Sequence, residues 1–325
     1  MDFADIKGHE EIKRRIRSAI ESRSYSHAYL FMGGRGLGKL KMARLLARGI
    51  LCQGDGAGVC RACQLMDQGD HPDYKEVTPD KKGGGGTIKK ETMEAILEDG
   101  ALSSYYGQGK VYVIDDFDRV SPGGQNALLK TLEEPREGTY FILVSANPEG
   151  VLETVQSRCQ KFYFSPLSPQ EIEEGLIEAQ LDPQLAQMVT AFAGGSLDRA
   201  LAYGQDPQSF RRRKDFFFHL DQLVREGAFR TYDLEAFFKE EKDHIDELFY
   251  LLEAWARDLY IYQETGDISL VSNQDMAKDL EAQVTRLGQR AKEIYDRVLK
   301  ARSYLKNNGN QELILEALFL YIGGS

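Results

Sequence analysis

The sequence predicts an α/β fold with a parallel sheet covered by helices, followed by an all-α half. Three observations carry that expectation. Short apolar runs AYLFM (28–32), VYVI (111–114) and YFILV (140–144) alternate with helical patterns, as expected of strands buried on both faces. From residue 166 onward long helical periodicities continue without convincing strands. The charge divides at the same place: residues 1–165 hold 23 acidic and 23 basic side chains, whereas 166–325 hold 28 and 18 and carry the whole net charge of −10. With 325 residues, 42% of them apolar and 28% charged, the chain can bury a sizeable core, which excludes disordered, fibrous and disulfide-stapled classes.

The first fifty residues hold 11 bases against 5 acids, a local positive field that falls short of a nucleic-acid stripe. They contain no signal-type apolar segment, and no apolar run approaches the about 20 residues of a membrane helix, so the expected location is the cytoplasm. After AYLFM comes GGRGLGKL, which sets Gly33, Gly38 and Lys39 at the GxxxxGK spacing between a strand and a helix. Glycines there let backbone N–H groups curl around phosphates at a helix N-terminus, and the lysine supplies a point charge. The full motif continues with Ser or Thr, whose hydroxyl ligates magnesium. Leu40 stands in that place, so the pattern predicts a degenerate phosphate loop with compromised magnesium binding and hydrolysis and weak or absent ATP binding. Chance clustering of glycines is the alternative.

Three of the four cysteines fall close together: Cys52, Cys60 and Cys63 lie within twelve residues, the last two as CxxC. In a cytosolic chain this spacing favours a structural zinc site over disulfides. A zinc site takes four ligands, and Asp55 or His71 could complete it. The alternative is three reduced thiols in a loop, with His71 structural. The tract KKGGGG (81–86) reads as a mobile surface loop.

VYVI runs into Asp115 and Asp116, a carboxylate pair at a strand end where a nucleotide's metal would sit; a solvated strand terminus is the other reading. Ser121 is a plausible N-cap with Pro122 at the first helical position, opening a helix over NALLKTLEE that must stop before Pro135. Ser168, Pro169 and Glu171 form a capping box at the start of the helical half, and YGQDPQ (203–208) breaks that half in two. Three regions result: 1–165, an α/β module with a cysteine-containing insertion; 166–205, a small helical piece; and 206–325, a longer bundle. The aromatic FFF (216–218) and Trp255 are expected in the bundle core or at an interface.

Assembled in this order, the residues resemble the delta-prime family of bacterial DNA polymerase III clamp-loader subunits, within the AAA+ proteins. The resemblance runs from SHAYLFMGGRGLGK through CRACQLMDQGDHPD, VYVIDDFD, NALLKTLEEPREGTYFILVSANP and SRC (157–159) to GGSLDRAL (194–201). It continues in EAWARDL (253–259) and NGNQELILEAL (308–318). It implies an AAA+ RecA-like α/β module, a helical lid and a helical collar for oligomerisation. It also implies a largely non-catalytic stator that offers Arg158 of the SRC motif as a trans-acting arginine finger to a neighbouring ATPase, with Ser157 and Cys159 fixing the backbone beside it. The implied partners are the gamma/tau ATPase subunits and the delta subunit and, through the complex, the sliding clamp and primer-template DNA. The implied location is the cytoplasm, at the nucleoid through the replisome.

Departures from the family pattern bear on activity. Active relatives carry Asp-Glu where this chain has Asp115-Asp116, and a sensor arginine after GSL where it has Asp198, with Arg199 one place late. The family's zinc module has a fourth cysteine where this chain has Ala57. A catalytically active gamma/tau-like ATPase subunit, which shares NALLKTLEEP and SRC, is the alternative; Leu40 argues against it, and that longer form is expected to carry domains after the collar, whereas this sequence stops at Ser325. A third reading is a free-standing nucleic-acid or zinc-binding module built on Arg14, Arg15, Arg17 and RRRK (211–214). Such runs are usually solvated helix faces.

Overall fold

The three apolar runs are strands of one five-stranded parallel sheet in the computed structural model, which describes residues 2–54, 60–79, 86–190, 193–306 and 309–324. The chain forms two compact units, Met1–Gly175 with Gly195–Asp198, and Leu176–Gly194 with Arg199–Ser325. The stretch 166–205 is thus shared between them. Of the KKGGGG tract only Gly86 lies within the described residues, as do all but the first of NGNQELILEAL.

The first unit alternates helices and strands: α1 (Glu10–Ser22), β1 (Ala28–Met32), α2 (Lys39–Leu51), α3 (Arg61–Gln68), β2 (Tyr74–Val77), α4 (Lys90–Gly100), β3 (Lys110–Ile114), α5 (Pro122–Glu133), β4 (Thr139–Ser145), α6 (Glu153–Gln156) and β5 (Gln160–Tyr163). The sheet order is β2-β3-β4-β1-β5, with every pairing parallel. Period-two alternation explains why β1, β3 and β4 read as unbroken apolar runs. Tyr29, Phe31, Val111, Val113, Ile142 and Val144 pack on one face with Ile16 of α1 and Met42 and Leu46 of α2. Ala28, Leu30, Met32, Tyr112 and Leu143 pack on the other with Met93 of α4 and Leu128 of α5. Fully buried Phe31 alone contributes on the order of 3 kcal/mol. The remaining strands are sheet edges: Lys75 and Gln160 are exposed there, which hides β2 and β5 from an apolar-run search.

α5 begins as expected. The Ser121 hydroxyl accepts from the Gly124 N–H at 3.2 Å, and the helix ends at Glu133, two residues before Pro135. Buried Gln125 ties this helix to the turn before α6. Its amide donates to the carbonyls of Val120 (3.1 Å) and Gly150 (2.9 Å) and accepts from the Leu152 N–H (2.9 Å). The capping box is also present: Glu171 Oε2 accepts from the Ser168 N–H at 2.8 Å, and the Ser168 hydroxyl accepts from the Glu171 N–H at 3.3 Å, opening α7 (Pro169–Glu178).

Further helices follow: α8 (Pro183–Thr190), α9 (Leu197–Gln205), α10 (Pro207–Glu226), α11 (Thr231–Glu240), α12 (Ile245–Thr265), α13 (Ala277–Leu287), α14 (Ala291–Lys306) and α15 (Gln311–Gly323). The expected break at 203–208 is sharp: Asp206 alone separates α9 from α10, its carboxylate accepting from the Gln208 N–H at 2.9 Å. The core of the second unit holds Phe216, Phe217, Phe238, Phe319 and Trp255, whose indole N–H donates to Gln283 at 2.9 Å, while Phe218 faces out. The RRRK run departs from the expected solvated face at its two middle residues, while Arg211 and Lys214 are exposed. Arg212 and Arg213 are only 6% and 4% exposed; Arg212 pairs with Glu241 (2.7 Å) and Glu247 (2.8 Å), and Arg213 with Asp275 (3.0 Å). Arg14 pairs with Glu11, and Arg15 lies 4.2 Å from the Phe162 ring. Arg212 and Arg213 are structural cations, whereas Arg14, Arg15 and Arg17 lie on an exposed face of α1, as expected. No helix among the described residues is long and apolar enough to cross a membrane.

Candidate functional site

Residues 33–39 leave the C-terminal end of β1 and turn into α2, so the stretch expected as a phosphate loop is a strand-to-helix loop. Glycine is required at Gly33 and Gly36, where φ is +148° and +73° and a Cβ would overlap the Phe164 carbonyl and the Ser196 hydroxyl respectively. That hydroxyl donates to the Gly36 carbonyl at 3.1 Å, so the GGS segment closes over the loop. Lys39 is buried. Its ammonium donates to the carbonyls of Gly33, at 2.7 Å, and Gly34, and burial pushes its pKa down to about 8 against the pull of Asp115, Asp116 and Asp118.

The loop opens on a cleft of about 320 Å³ whose charged lining includes Arg35, Lys39, Lys41, Asp115, Asp116 and Asp198. Most of these charges meet one another. Arg35 reaches Asp116 at 3.0 Å and Lys41 reaches Asp198 at 3.4 Å. Asp116 sits in a left-handed conformation (φ 46°) with Arg119 also 3.7 Å away. Burial, with Asp116 beside it, holds the Asp115 carboxyl above the usual range. Leu40 lies against the apolar core of α2 and offers the cleft no hydroxyl. The one-late Arg199 belongs to the second unit, where its guanidinium lies 3.4 Å from the Tyr250 ring centre.

Arg158 occupies the turn between α6 and β5. Its Nη2 pairs with Glu133 Oε1 at 2.6 Å, and its Nη1 donates to the Thr154 carbonyl at 2.8 Å. The Ser157 hydroxyl donates to the same carbonyl at 3.1 Å, and Cys159 packs against the α5-side core, where burial pushes its thiol up to about 12. Both neighbours therefore anchor the turn. Gln160 pairs with Tyr29 and Tyr163 with Met32 in parallel register. Arg158 thus precedes the N-terminal edge of the sheet, whereas the phosphate loop leaves the C-terminal edge, a strand length of roughly 13 Å away.

Cys52, Cys60 and Cys63 converge, their sulfurs all within 4.8 Å of one another, with Cys60 3.8 Å from Cys52 and 3.5 Å from Cys63. Zinc–sulfur bonds of about 2.3 Å put tetrahedral corners about 3.8 Å apart, so the three thiols fit three corners of such a site. Burial opposes ionisation of Cys60, but hydrogen bonds from the backbone at Cys63 and Gln53 bring its thiol down to about 7. His71 is not in this group among the described residues. Its Nδ1 accepts from the Asp73 N–H at 3.1 Å and its ring packs on Tyr106, so of the two options for a fourth ligand His71 is held elsewhere, in its alternative, structural role. Asp55 and Ala57 lie outside the described residues.

Two stretches match families described as DNA polymerase III, delta subunit (residues 8–168) and DNA polymerase III, delta subunit, C terminal (residues 207–323). A DNA polymerase III delta-prime subunit of Bacillus subtilis (strain 168) is 30% identical over 318 residues, covering 96% of this chain and 95% of that one. The chain belongs to the delta-prime family of DNA polymerase III clamp-loader subunits. The tau subunit of Escherichia coli (strain K12) is 34% identical over 210 residues, 62% of this chain and 32% of that relative. Among solved structures, a DNA polymerase III gamma subunit-related protein of Thermotoga maritima aligns with a TM-score of 0.45 and 17% identity over 96% of this chain and 98% of that one.

Membership of the delta-prime family accounts for the α/β module and the helices after it. The motif residues Gly33, Gly38, Lys39, Asp115 and Asp116 lie around one loop and cleft, and Arg158 stands apart. Arg35, Lys41 and Glu133, the side chains that neutralise Asp116, Asp198 and Arg158, carry no motif of their own. The nearest sequence signal for Glu133 is its place in NALLKTLEEP.

Proposed function

We propose that this delta-prime family member is the largely non-hydrolysing subunit of a clamp-loading ring. It assembles with gamma/tau-type ATPase subunits and a delta subunit, and supplies Arg158 in trans to nucleotide held by a neighbour while the sliding clamp is loaded onto primed DNA. Residues 1–165 act as the AAA+ module, 166–205 as the lid and 206–325 as the oligomerising collar.

The observation that carries this reading is the separation of Arg158 from the chain's own phosphate loop. An arginine at the opposite sheet edge cannot reach a phosphate in that loop, but a head-to-tail neighbour can bring its own nucleotide to it. The silence of the chain's own loop follows from Leu40 and from the pairing of Asp116 with Arg35. A metal would have to displace an intramolecular cation from one acid while Leu40 offers it no ligand. These same contacts count against the active-ATPase alternative.

Zinc is proposed as a structural ion held by Cys52, Cys60 and Cys63, where it would fix α3 to the end of α2. The fourth ligand is unassigned.

The deciding experiment compares DNA-stimulated ATP hydrolysis by rings reconstituted with wild type or Arg158→Ala. The expectation is a loss of about 10³-fold at the one site that this arginine serves, with smaller loss in total rate. Equal rates from fully assembled rings would refute the assignment.

A further inference from the structure

In the free chain the Arg158 guanidinium is already engaged. Glu133 takes Nη2 at 2.6 Å, and Nη1 is shared between the Thr154 carbonyl at 2.8 Å and the Ser157 hydroxyl at 3.4 Å. Neither ionic partner is buried: the Arg158 side chain is 34% exposed and that of Glu133 is 52% exposed. Glu133 is the last residue of α5, and Gln125 fastens the other end of that helix to the turn before α6, so the carboxylate is held beside the arginine by rigid elements rather than by a wandering loop. A carboxylate and a terminal phosphate present the same chemistry to a guanidinium, two oxygens accepting parallel N–H bonds. They therefore compete for the same donors.

We propose that Glu133 is a positioning residue that parks Arg158 in the unengaged subunit, and that capture of a neighbour's nucleoside triphosphate exchanges the Glu133 carboxylate for phosphate oxygens. The inference rests on the reading of Arg158 as a trans-acting finger. Exposed ion pairs of this kind are weak, which suits a latch that must open. Their usual strength corresponds to a bias of roughly two- to five-fold toward the parked state, and a competent state so depleted weakens apparent nucleotide affinity by about the same factor. The carboxylate acts before the phosphate is captured, so saturating nucleotide removes its effect.

The test is a double-mutant cycle in reconstituted rings with wild type, Glu133→Gln, Arg158→Ala and the doubly substituted chain, reading KM for ATP and kcat on the part of the rate that Arg158→Ala abolishes. Glu133→Gln is expected to lower KM about two- to five-fold at unchanged kcat. In the Arg158→Ala background, read on the rate that remains, the Glu133 substitution should change neither KM nor kcat. Glu133→Ala, checked for thermal unfolding and ring assembly, should repeat the result and guards against an effect peculiar to the amide. An unchanged KM overturns the proposal, as does a fall in kcat, which would make Glu133 an orienting group. A shift that persists without Arg158 overturns it too, since Glu133 would then act through α5. Should Arg158→Ala itself leave the rate unchanged, the underlying finger reading fails instead.

Discussion

Replacing Lys39 with methionine should change how stability depends on pH, in a direction opposite to the usual alkaline loss. In the unfolded chain this lysine titrates near 10.5, whereas burial in the phosphate loop brings it down to about 8. Between those values the unfolded chain holds a proton that the native chain has released, so native stability rises with pH across the window. The separation corresponds to about 3 kcal/mol, withheld at neutral pH and recovered by pH 10.5. Lys39→Met abolishes the titration, and the hydrogen bonds to Gly33 and Gly34 that it also removes enter as a nearly constant offset. The difference in unfolding free energy, wild type minus variant, should therefore climb by about 3 kcal/mol from pH 7.5 to 10.5. Urea unfolding read by hydrogen exchange of β1 and α2 peptides isolates the first unit, because Trp255 fluorescence reports on the second. A flat difference would refute the claim that the lysine is a costly buried cation. Pyrophosphate provides a second reading: if the loop holds it, the added negative charge returns the proton to Lys39 and flattens the climb.

Two further predictions concern the thiol cluster and the second unit. Ala57→Cys, by adding the fourth thiolate of the family pattern, should tighten zinc about ten-fold in chelator competition and move the cobalt spectrum from three-thiolate to four-thiolate intensity; unchanged affinity and spectrum would show that position 57 does not face the metal. Arg212→Met should cost the second unit about 3 kcal/mol or more in thermal unfolding, because Glu241 and Glu247 lose a buried counter-ion, whereas the exposed Arg211→Met should stay within about 0.5 kcal/mol; equal effects would refute the distinction.

What the sequence makes legible follows from which signals are local. β1, β3 and β4 announce themselves because both faces are covered and every residue of β1 and β3 is apolar or buried. β2 and β5 do not, because an edge strand such as QKFY needs a buried side chain only at Phe162. The caps at Ser121 and Ser168 are local in the same way: donor and acceptor lie three residues apart. By contrast, Arg35 meets Asp116 across 81 positions and Arg158 meets Glu133 across 25, distances over which no periodicity carries information. The RRRK run misleads for a related reason. Composition registers its charge, while the acids that bury it arrive from α12 and from the segments after α11 and before α13. At the thiols, the spacing predicts convergence correctly but not that His71 is held elsewhere by Asp73 and Tyr106.

The opposition of Arg158 and the phosphate loop across the sheet also gives the subunit a polarity. A two-fold dimer would pair each arginine with its partner's loop reciprocally and then close, whereas a head-to-tail succession passes one arginine to one loop and leaves the next pair open. On the reading proposed above, every ordinary member of that succession both gives an arginine and receives one. On that reading this chain would give at one edge only, since at the other Arg35, Lys39 and Lys41 are engaged by its own groups. On that same reading, a link that only gives would mark where the series begins, so the charge pairing inside one cleft would set a direction for the assembly.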